Sequence, residues 1–402
     1  MAMTATDAVA RVAGSPAMVR ARSLIARDDA QTVAAQCAIA AIAAPPFGES
    51  VRAAWMHERF IEIGLQHVRI DEAGNLIGER AGTHDTAPVV VAAHLDTVFP
   101  ADTALELRRQ DGRVMVPGIA DNARGLAGMI VIARALNACD VVVERPIHFV
   151  ATVGEEGVGD LRGVKHLFRD GAPHRRAHAF IALDGTETRR IVNRAVGSRR
   201  FQVAVRGPGG HSWADRSAPN PAWVLGNAMA TLGRLQFPTE PAWSLNIGRI
   251  GGGTSVNAIP EEVWFELDLR SEDAGTLGTI EDSALRAIRQ ATRESQSMRR
   301  RTDPALELAF RPIGDRPAGT TPADSPLVEV ARAATRYIGR RPELIASSTD
   351  ANVPMALGIP AIAIGAGGES GGMHTLSEWY DNRRGPEGLV RAALTVVVAA
   401  EA

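Results

Sequence analysis

Apolar residues along this chain fall either into short unbroken runs or into stretches with helical spacing, and each pattern predicts a different element. The run at residues 89–93 is typical of a strand that is buried on both faces of a parallel sheet. Helical spacing is seen over residues 50–63, which precede that strand. Since buried runs and helical stretches follow one another along the chain, we expect an α/β fold with a mainly parallel sheet flanked by helices.

The predicted elements extend over most of the sequence. Residues 1 to about 20 have the character of a loose polar start. We expect helices at residues 28–43, 50–63, 124–137, 220–235, 273–295, 325–338 and 385–402. We expect strands at residues 68–70, 75–79, 89–93, 146–152, 179–183, 200–206, 244–250, 263–269, 305–311, 342–346 and 360–364.

The pattern changes at about residue 198. Residues 200–206 alternate between apolar and polar side chains, as in a strand with one solvated face. The order of elements from there to residue 311 is strand, helix, strand, strand, helix, strand, which predicts a small α+β domain inserted into the larger one. We therefore expect a catalytic domain formed by residues 1–197 and 313–402, interrupted by an inserted domain of residues 198–312.

Composition narrows the class of protein. A length of 402 residues favours two domains, and 45% hydrophobic with 22% charged residues is ordinary for a soluble globular protein. A protein with a net charge of −2 does not attract nucleic acid or an anionic membrane electrostatically, so we expect neither as a partner. The two cysteines cannot form a disulfide framework, and the apolar run at residues 38–44 is too short to span a bilayer. We expect a cytoplasmic protein.

Acidic and imidazole side chains follow several of the predicted strands. His94 and Asp96 come after the 89–93 run and lie on the same side of an extended chain. A carboxylate two residues away can accept the second ring N–H of a metal-bound histidine. Glu155 and Glu156 lie between glycines after the strand at 146–152. Open α/β sheets bind their ligands at the carboxyl ends of the strands, so these side chains are candidate site residues.

Some of the candidate residues also have a simpler interpretation. His94 alone is compatible with a surface loop, and Asp121 precedes a predicted helix, where aspartate is a good N-cap. Adjacent carboxylates are harder to explain, because their repulsion needs a compensating positive charge, for which a metal ion is the strongest candidate. The glycine-dense segment at 365–374 lacks the spacing of a dinucleotide site. The full candidate ligand set is His94, Asp121, Glu156, Asp184 and His374.

Two imidazoles and three carboxylates suit zinc, with manganese and cobalt as alternatives. Three protein ligands and water are usual for one catalytic metal, so five ligands are enough for two metals if one carboxylate bridges them. Paired metals about 3.5–4 Å apart are a recurring device for hydrolysis. We therefore expect two divalent metal ions as cofactors.

Five motifs in this chain resemble, in order, those of the co-catalytic zinc peptidases and deacylases. That family includes peptidase T, bacterial glutamate carboxypeptidase, aminoacylase and succinyl-diaminopimelate desuccinylase. The resemblance extends from about residue 45 to residue 381. The motifs are His94-Leu95-Asp96, Gly118-Ile119-Ala120-Asp121-Asn122, Gly154-Glu155-Glu156-Gly157, Leu183-Asp184-Gly185 and Gly371-Gly372-Met373-His374.

The resemblance implies a zinc-exopeptidase-like fold and a role for each ligand. His94 and Asp184 would hold one metal, Glu156 and His374 the other, and Asp121 would bridge the two.

Two further residues acquire catalytic roles through the resemblance. Asp96 would orient His94, and Glu155 would be the general base that generates a metal-bridging hydroxide. Many members of the family have a second aspartate at the position of Asn122, preceded by a cis peptide bond. The sequence does not decide whether the Asp121–Asn122 bond is cis in this chain.

The inserted domain resembles the family's ferredoxin-like lid and dimerisation domain. His211, in a Gly-Pro-Gly-Gly-His-Ser loop, would stabilise the oxyanion, often in the active site of a partner subunit. Asn257 and Arg270 match segments that hold the substrate's carboxylate, a task for which the planar fork of arginine is suited. The simpler interpretations are a solvated turn for His211 and an ordinary strand-end charge for Arg270. A homodimer formed through the lid domain is expected.

We expect a metal-dependent hydrolase that cleaves the amide bond of a di- or tripeptide or of an N-acyl amino acid. The alternative is an amidohydrolase of the same fold that acts on a carbamoyl, ureido or aromatic amine substrate. The metal site does not distinguish the two, and that choice lies in the lid and in residues 347–352. A catalytically inactive binding protein is disfavoured by the intact Glu155 and the complete ligand set.

Overall fold

The computed structural model describes residues 3–297 and 305–401, and the chain divides into two compact units. The first unit is Met1–Ala195 with Gly319–Ala402, and the second is Val196–Ala318. The predicted junction after residue 312 differs, because the strand Glu307–Arg316 continues beyond it. Residues 1, 2 and 402, which the predicted catalytic domain includes, lie outside the described residues.

The described residues contain helices that begin or end within a few residues of most predicted positions. The helices are α1 (Ala5–Gly14), α2 (Pro16–Arg27), α3 (Asp29–Ala40), α4 (Ser50–Glu62), α5 (Ala123–Ala138), α6 (Arg162–Leu167), α7 (Pro221–Leu232), α8 (Ala274–Ser297), α9 (Pro326–Tyr337), α10 (Asn352–Ala356) and α11 (Gly385–Ala399). Short 3-10 helices lie at Gly157–Gly159 and Pro173–Arg176. None of the helices in the described ranges is long and apolar enough to cross a membrane.

The strands are more numerous than the sequence predicts. They are β1 (Gln66–Ile70), β2 (Leu76–Arg80), β3 (Val89–His94), β4 (Arg108–Gln110), β5 (Arg113–Met115), β6 (Ile147–Thr152), β7 (Ala179–Leu183), β8 (Arg190–Ala195), β9 (Gly197–Arg206), β10 (Gly210–His211), β11 (Trp243–Gly252), β12 (Ala258–Ile259), β13 (Glu262–Ser271), β14 (Glu307–Arg316), β15 (Gly319–Thr320), β16 (Glu343–Ser347), β17 (Ala361–Ile364), β18 (Glu369–Gly371) and β19 (Trp379–Asp381).

The first unit is built on a nine-stranded mixed sheet whose centre is parallel. Its strand order is β1-β2-β6-β3-β7-β17-β8-β15, and β16 pairs with β8. Strands β6, β3, β7 and β17 run parallel, whereas β1, β2 and β15 pair antiparallel at the edges. The carboxyl ends of the central strands therefore meet at one edge, as the predicted α/β fold requires.

The unbroken apolar run of β3 is explained by a hydrophobic core on each face of the sheet. Val89 and Val91 belong to one core, while Val90 and Ala92 belong to the other. All four side chains are buried, and burial of a valine contributes about 1.5–3 kcal/mol relative to exposure. A strand with both faces covered cannot alternate with polar residues, so the pattern is a run.

The prediction of a loose start over residues 1–20 is wrong for the described residues from Met3 onward. Helix α1 and the first part of α2 occupy this segment, and the side chains of Thr4 and Ser15 cap them by accepting backbone N–H groups. Val9 and Val12 of α1 are buried in the larger core. Short helices owe most of their stability to packing of this kind, which spacing over ten residues does not reveal.

The second unit is a four-stranded antiparallel sheet in the order β11-β13-β9-β14, with α7 and α8 on one face. The element order is that of a ferredoxin-like fold. Strand β14 continues past the predicted end at residue 311, with a register shift between Pro312 and Gly314. A proline is tolerated there because β14 is an edge strand. The short strands β10 and β12 pair with each other.

Candidate metal centre

Three adjacent parallel strands each lead into candidate ligands at their carboxyl ends. His94 is the last residue of β3, and Asp184 follows directly after β7. Glu155 and Glu156 follow β6 after a turn through Gly154, whose φ is 63°. Because the strands lie in the order β6-β3-β7, these side chains are gathered at one edge of the sheet.

The remaining two candidates come from loops. Asp121 lies two residues before α5, and Asn122 is the N-cap of that helix, accepting the N–H of Gly125 at 3.1 Å. The Asn122 amide also donates to the carbonyl of Leu183 at 2.8 Å, which ties this loop to the end of β7. The Asp121–Asn122 peptide bond is cis. His374 lies between β18 and β19, with a φ of 63°.

The carboxylate of Asp121 lies between the two histidines. Its Oδ1 atom is 3.0 Å from Nε2 of His94, and its Oδ2 atom is 3.0 Å from Nε2 of His374. Glu156 is on the His374 side, with Oε1 3.0 Å from the same Nε2 atom. Asp184 is on the His94 side, with Oδ1 4.0 Å from Nε2 of His94. The structure therefore brings the five predicted ligands together in two groups with Asp121 between them.

The two histidines of the site differ in exposure. The His94 side chain is 3% exposed, whereas that of His374 is 54% exposed. Glu155 and Glu156 are both buried. Of the two histidines, His374 is therefore the one that solvent reaches.

Proton affinities in the site are strongly shifted. Burial, and then the charge of Asp121, raise the pKa of Asp184 to about 7. Hydrogen bonds to Asp121 and Glu156 raise the pKa of His374 to about 10. Burial alone would lower the pKa of His94, but its hydrogen bond to Asp121 raises it well above the usual value. The clustered carboxylates thus attract positive charge, which protons or a metal cation can supply.

The donor set fits a divalent metal. One ligand atom each from His94, Asp121 and Glu156 lie within 4.8 Å of one another. Nitrogen and carboxylate donors are those of zinc sites, and manganese and cobalt accept the same set. Metal ions bind the neutral imidazole and the ionised carboxylate, so binding would displace the protons that this site attracts.

Asp96 lies against His94, as the sequence predicts, and it also binds the turn that follows β6. Its carboxylate accepts the backbone N–H groups of Glu155 and Glu156, at 2.9 and 2.8 Å. The Nδ1 atom of His94 is 3.0 Å from the backbone carbonyl of Asp96 but 3.7 Å from its carboxylate. Asp96 therefore contacts the His94 ring through both its carbonyl and its carboxylate, and the same buried carboxylate fixes the turn that carries both glutamates.

The loop of residues 347–352 reaches the same strand ends. Asp350 is buried and accepts the hydroxyl of Thr152, the last residue of β6, at 2.5 Å. Its charge also contributes to the raised pKa of Asp184, after burial and the closer charges.

Two buried residues near the centre have no counterpart among the sequence predictions. Arg52 of α4 donates to the carbonyl of Leu95 at 2.7 Å and so supports the turn between His94 and Asp96. Glu378 accepts three backbone N–H groups from the turn that ends at Asp121. The helical pattern of residues 50–63 does not distinguish Arg52 from its neighbours. The only signal for Glu378 is its position four residues after a candidate ligand.

A model of peptidase family M20/M25/M40 matches residues 90–401. The chain belongs to this family. It is therefore a hydrolase of a metal-dependent family that acts on peptides and acyl amino acids.

Relatives of this M20/M25/M40 hydrolase have several names. The protein YqjE of Bacillus subtilis (strain 168) is 28% identical over 338 residues, covering 82% of this chain and 84% of its own. Acetylornithine deacetylase of Myxococcus xanthus is 30% identical over 318 residues, covering 74% of this chain and 78% of its own. The crystal structure of aminopeptidase PepT from Bacillus cereus ATCC 10987 matches with a TM-score of 0.70 at 23% identity, covering 94% and 98% of the two chains. This last likeness shows the zinc-exopeptidase fold.

The other predicted site residues of this M20/M25/M40 hydrolase lie in the second unit. His211 and Asn257 are brought together, because β10 pairs with β12. The N–H of Ser212 also donates to the carbonyl of Asn257 at 2.9 Å. His211 is exposed, and its Nδ1 atom accepts the N–H groups of Trp213 and Ala214 at 3.2 and 3.3 Å. An Nδ1 atom that accepts carries no proton, so the neutral ring has its proton on Nε2.

Arg270 lies in a group of arginines on the sheet face of the second unit opposite α7 and α8. Its Nε atom donates to Asp268 at 2.7 Å, and the same carboxylate accepts from Arg200 at 3.2 Å. In the sheet register Arg270 and Arg316 flank Ser198 from the two sides. Arg200 and Arg316 have no signal in the sequence, since the pairing of β9 with β13 and β14 is what brings them together.

Proposed function

We propose that this hydrolase uses two divalent metal ions, with zinc as the first candidate, to cleave the amide bond of a di- or tripeptide or of an N-acyl amino acid. The observation that supports this most directly is the position of Asp121, whose two carboxylate oxygens each lie 3.0 Å from a different histidine. A carboxylate with one oxygen toward each of two imidazoles has the arrangement required of a bridging ligand.

The assignment of ligands follows from the two groups of side chains. His94 and Asp184 would hold one metal, His374 and Glu156 the other, and Asp121 both. When bound, the metals supply Lewis-acid polarisation of the amide carbonyl and lower the pKa of water toward 7.

Glu155 is the proposed general base. It is buried beside the ligand Glu156, and its backbone N–H is fixed by Asp96 at 2.9 Å. A carboxylate oxygen of Glu155 would take the proton of the attacking water and deliver it to the leaving nitrogen, a role typically worth about 10²–10⁴-fold in rate.

His211 is the proposed oxyanion donor. The tautomer that its backbone contacts impose leaves an Nε2–H group, which is the donor that a developing negative charge requires. Arg270 and Asn257 are the proposed carboxylate-binding residues of the substrate site. Arg200 and Arg316 add positive charge on the same sheet face as Arg270, which favours an anionic substrate group.

A second copy of the chain is the proposed partner of the second unit. Strand β11 is at the edge of its sheet, and an exposed edge is available for pairing. Exposed apolar residues of this unit include Ile250 on β11 and Trp223 on α7. Light scattering should give twice the mass of one chain, and Trp223→Glu should reduce it, whereas Val142→Glu in the first unit should not. A wild-type protein with the mass of one chain would contradict the dimer.

A substrate screen tests the proposed function. Protein loaded with zinc would be incubated with dipeptides, tripeptides, N-acyl amino acids and N-carbamoyl amino acids, and the products read by mass spectrometry. Cleavage of peptides or N-acyl amino acids supports the proposal. If protein with two bound metals leaves all of these intact, the proposal is wrong, and cleavage of carbamoyl compounds alone would support the alternative amidohydrolase.

A further inference from the structure

Glu378 is a buried carboxylate whose partners are backbone N–H groups. Its Oε2 atom accepts the N–H of Gly118 at 2.9 Å, and its Oε1 atom accepts those of Ala120 and Asp121 at 2.8 and 3.1 Å. The residue has no exposed surface. Burial raises its pKa to about 7, although the three N–H groups lower it. Placing an ionisable group in such a position is costly, and hydrogen bonds are what makes it tolerable.

The three N–H groups belong to the turn that presents Asp121. They point to one acceptor because the chain reverses around it, with Gly118 at a φ of 78°. A side chain at Gly118 would meet Thr97 at 2.8 Å. The direction of the Asp121 carboxylate therefore depends on a tight turn whose backbone donors share a single partner.

Glu378 also belongs to the loop that presents His374. The N–H of Glu378 donates to the carbonyl of Thr375 at 3.2 Å, and the next residue, Trp379, begins β19. Strand β19 pairs with β5, whose last residue Met115 is opposite Trp379. Glu378 therefore attaches the His374 loop to the Asp121 turn, next to the pairing of β19 with β5.

We propose that Glu378 is a positioning residue that sets the separation of Asp121 and His374 and so shapes the metal position that these two share with Glu156. The inference rests on the proposed two-metal function. Glu378 would act through the backbone, in the same manner as Asp96 acts on the turn of Glu155 and Glu156. Each of the two carboxylates would then fix one turn that carries a proposed ligand.

The two metals should respond differently to the loss of Glu378. Loss of Glu378 loosens Asp121 and His374 but leaves His94 and Asp184 in place, since those follow β3 and β7 directly. The metal on the His374 side should weaken more than the metal on the His94 side. Groups that support ligands in this way typically change metal affinity or activity by about 10–100-fold.

The experiment compares Glu378→Gln and Glu378→Ala with wild type and with Glu369→Gln. Glu369, on β18, is paired with Arg383 at the surface and serves as a matched glutamate control. Glutamine retains one oxygen that can accept from Ala120 and Asp121 but turns its NH₂ toward the N–H of Gly118, so its effect should be the milder one. Zinc would be titrated against a chelator of known affinity, and melting temperature without metal would be measured in parallel.

We expect wild type and Glu369→Gln to bind two zinc ions. The Glu378 variants should keep one tight site and lose about 10-fold (glutamine) to 100-fold (alanine) affinity at the other. Excess zinc should restore kcat with KM unchanged.

Two results would overturn the inference. The first is that folded Glu378→Gln binds zinc at both sites with wild-type affinity. The second is that both sites weaken equally and the melting temperature without metal falls, which indicates a purely structural role. Failure of wild type itself to bind two metals would instead count against the proposed function.

Discussion

The carboxylate of Asp96 accepts the backbone N–H of Glu156 at 2.8 Å. The same carboxylate accepts from Glu155, so one buried side chain fixes both the proposed base and a proposed ligand. In Asp96→Asn an NH₂ group must face one of the two N–H donors, and one hydrogen bond is lost. We expect kcat or metal affinity to fall about 10–100-fold. Steady-state kinetics and metal titration would measure this, and Asp85→Asn, at an exposed aspartate, is the control.

The proposed base gives a different signature from a ligand. Glu155→Gln should reduce kcat by about 10²–10⁴-fold, because the carboxylate that accepts the water proton is lost. Bound metal, measured by elemental analysis, should stay at the wild-type level. Glu156→Gln should reduce the metal content instead. If the two variants exchange these behaviours, the base and the ligand have been assigned the wrong way round.

Metal should stabilise the first unit in a pH-dependent way. A ligand at 100 times its Kd stabilises the folded state by about 2.7 kcal/mol, so zinc should raise Tm and a chelator should lower it. The shift should be larger at pH 7.5 than at pH 5.5, since protons on the imidazoles and carboxylates compete with the metal at low pH. Calorimetry with wild type, His94→Ala and the exposed His84→Ala would measure it. A full shift in His94→Ala would contradict the assigned site.

Arg270 should act on substrate binding. Hydrogen bonds to charged groups contribute about 1.5–3 kcal/mol, which corresponds to a rise in KM of roughly 10–100-fold in Arg270→Ala for a substrate with a free carboxylate. For the same substrate with its carboxylate amidated, wild type and Arg270→Ala should have the same KM. Arg249→Ala removes an exposed arginine paired with Glu266 in the same sheet and should leave KM unchanged. Equal effects of Arg270→Ala on both substrates would exclude the role.

A pair of histidines outside the five motifs should make stability depend on pH. His174 is buried, with Nε2 2.9 Å from Nδ1 of His148, and burial followed by the charge of His148 lowers its pKa to about 4. Since the unfolded chain binds this proton from about pH 6.5 downward, stability is complete above pH 6.5 and is lost as the pH falls toward 4. At pH 5 the loss is roughly 2 kcal/mol.

Urea unfolding at pH 7.5 and pH 5 would measure this effect. His174→Gln should remove about 2 kcal/mol of the difference between the two pH values, whereas His84→Gln should not change it. An undiminished difference in His174→Gln would mean that other groups carry the pH dependence.

Much of the fold is encoded locally and could be predicted. The 89–93 run became β3, and the helix predicted at 124–137 is α5, Ala123–Ala138. The sheet fixes the positions of the residues at the ends of its strands. For this reason His94 and Asp184 could be expected to lie close together. The zinc-exopeptidase fold is confirmed by the solved relatives.

The contacts that refine the site could not be predicted from local patterns. Glu378 and Gly118 are 260 residues apart in sequence, and their hydrogen bond joins a side chain to a backbone group that any residue could supply. The small sheet β18-β19-β5-β4 has strands of three residues, too short to show a period of two. The hydrogen bonds from the backbone of Glu155 and Glu156 to Asp96 could not be predicted either, because sequence spacing carries no information about backbone donors in another segment.

The two strands through which the chain leaves and re-enters the first unit are neighbours. Ala195, at the end of β8, lies directly opposite Gly319, at the start of β15, in an antiparallel pair. A ladder of this kind can be closed by a hairpin of a few residues, so the 123 residues of Val196–Ala318 occupy the place of a single tight turn. The larger sheet, with the candidate ligands at the ends of its strands, could therefore be closed by a hairpin in place of the second unit.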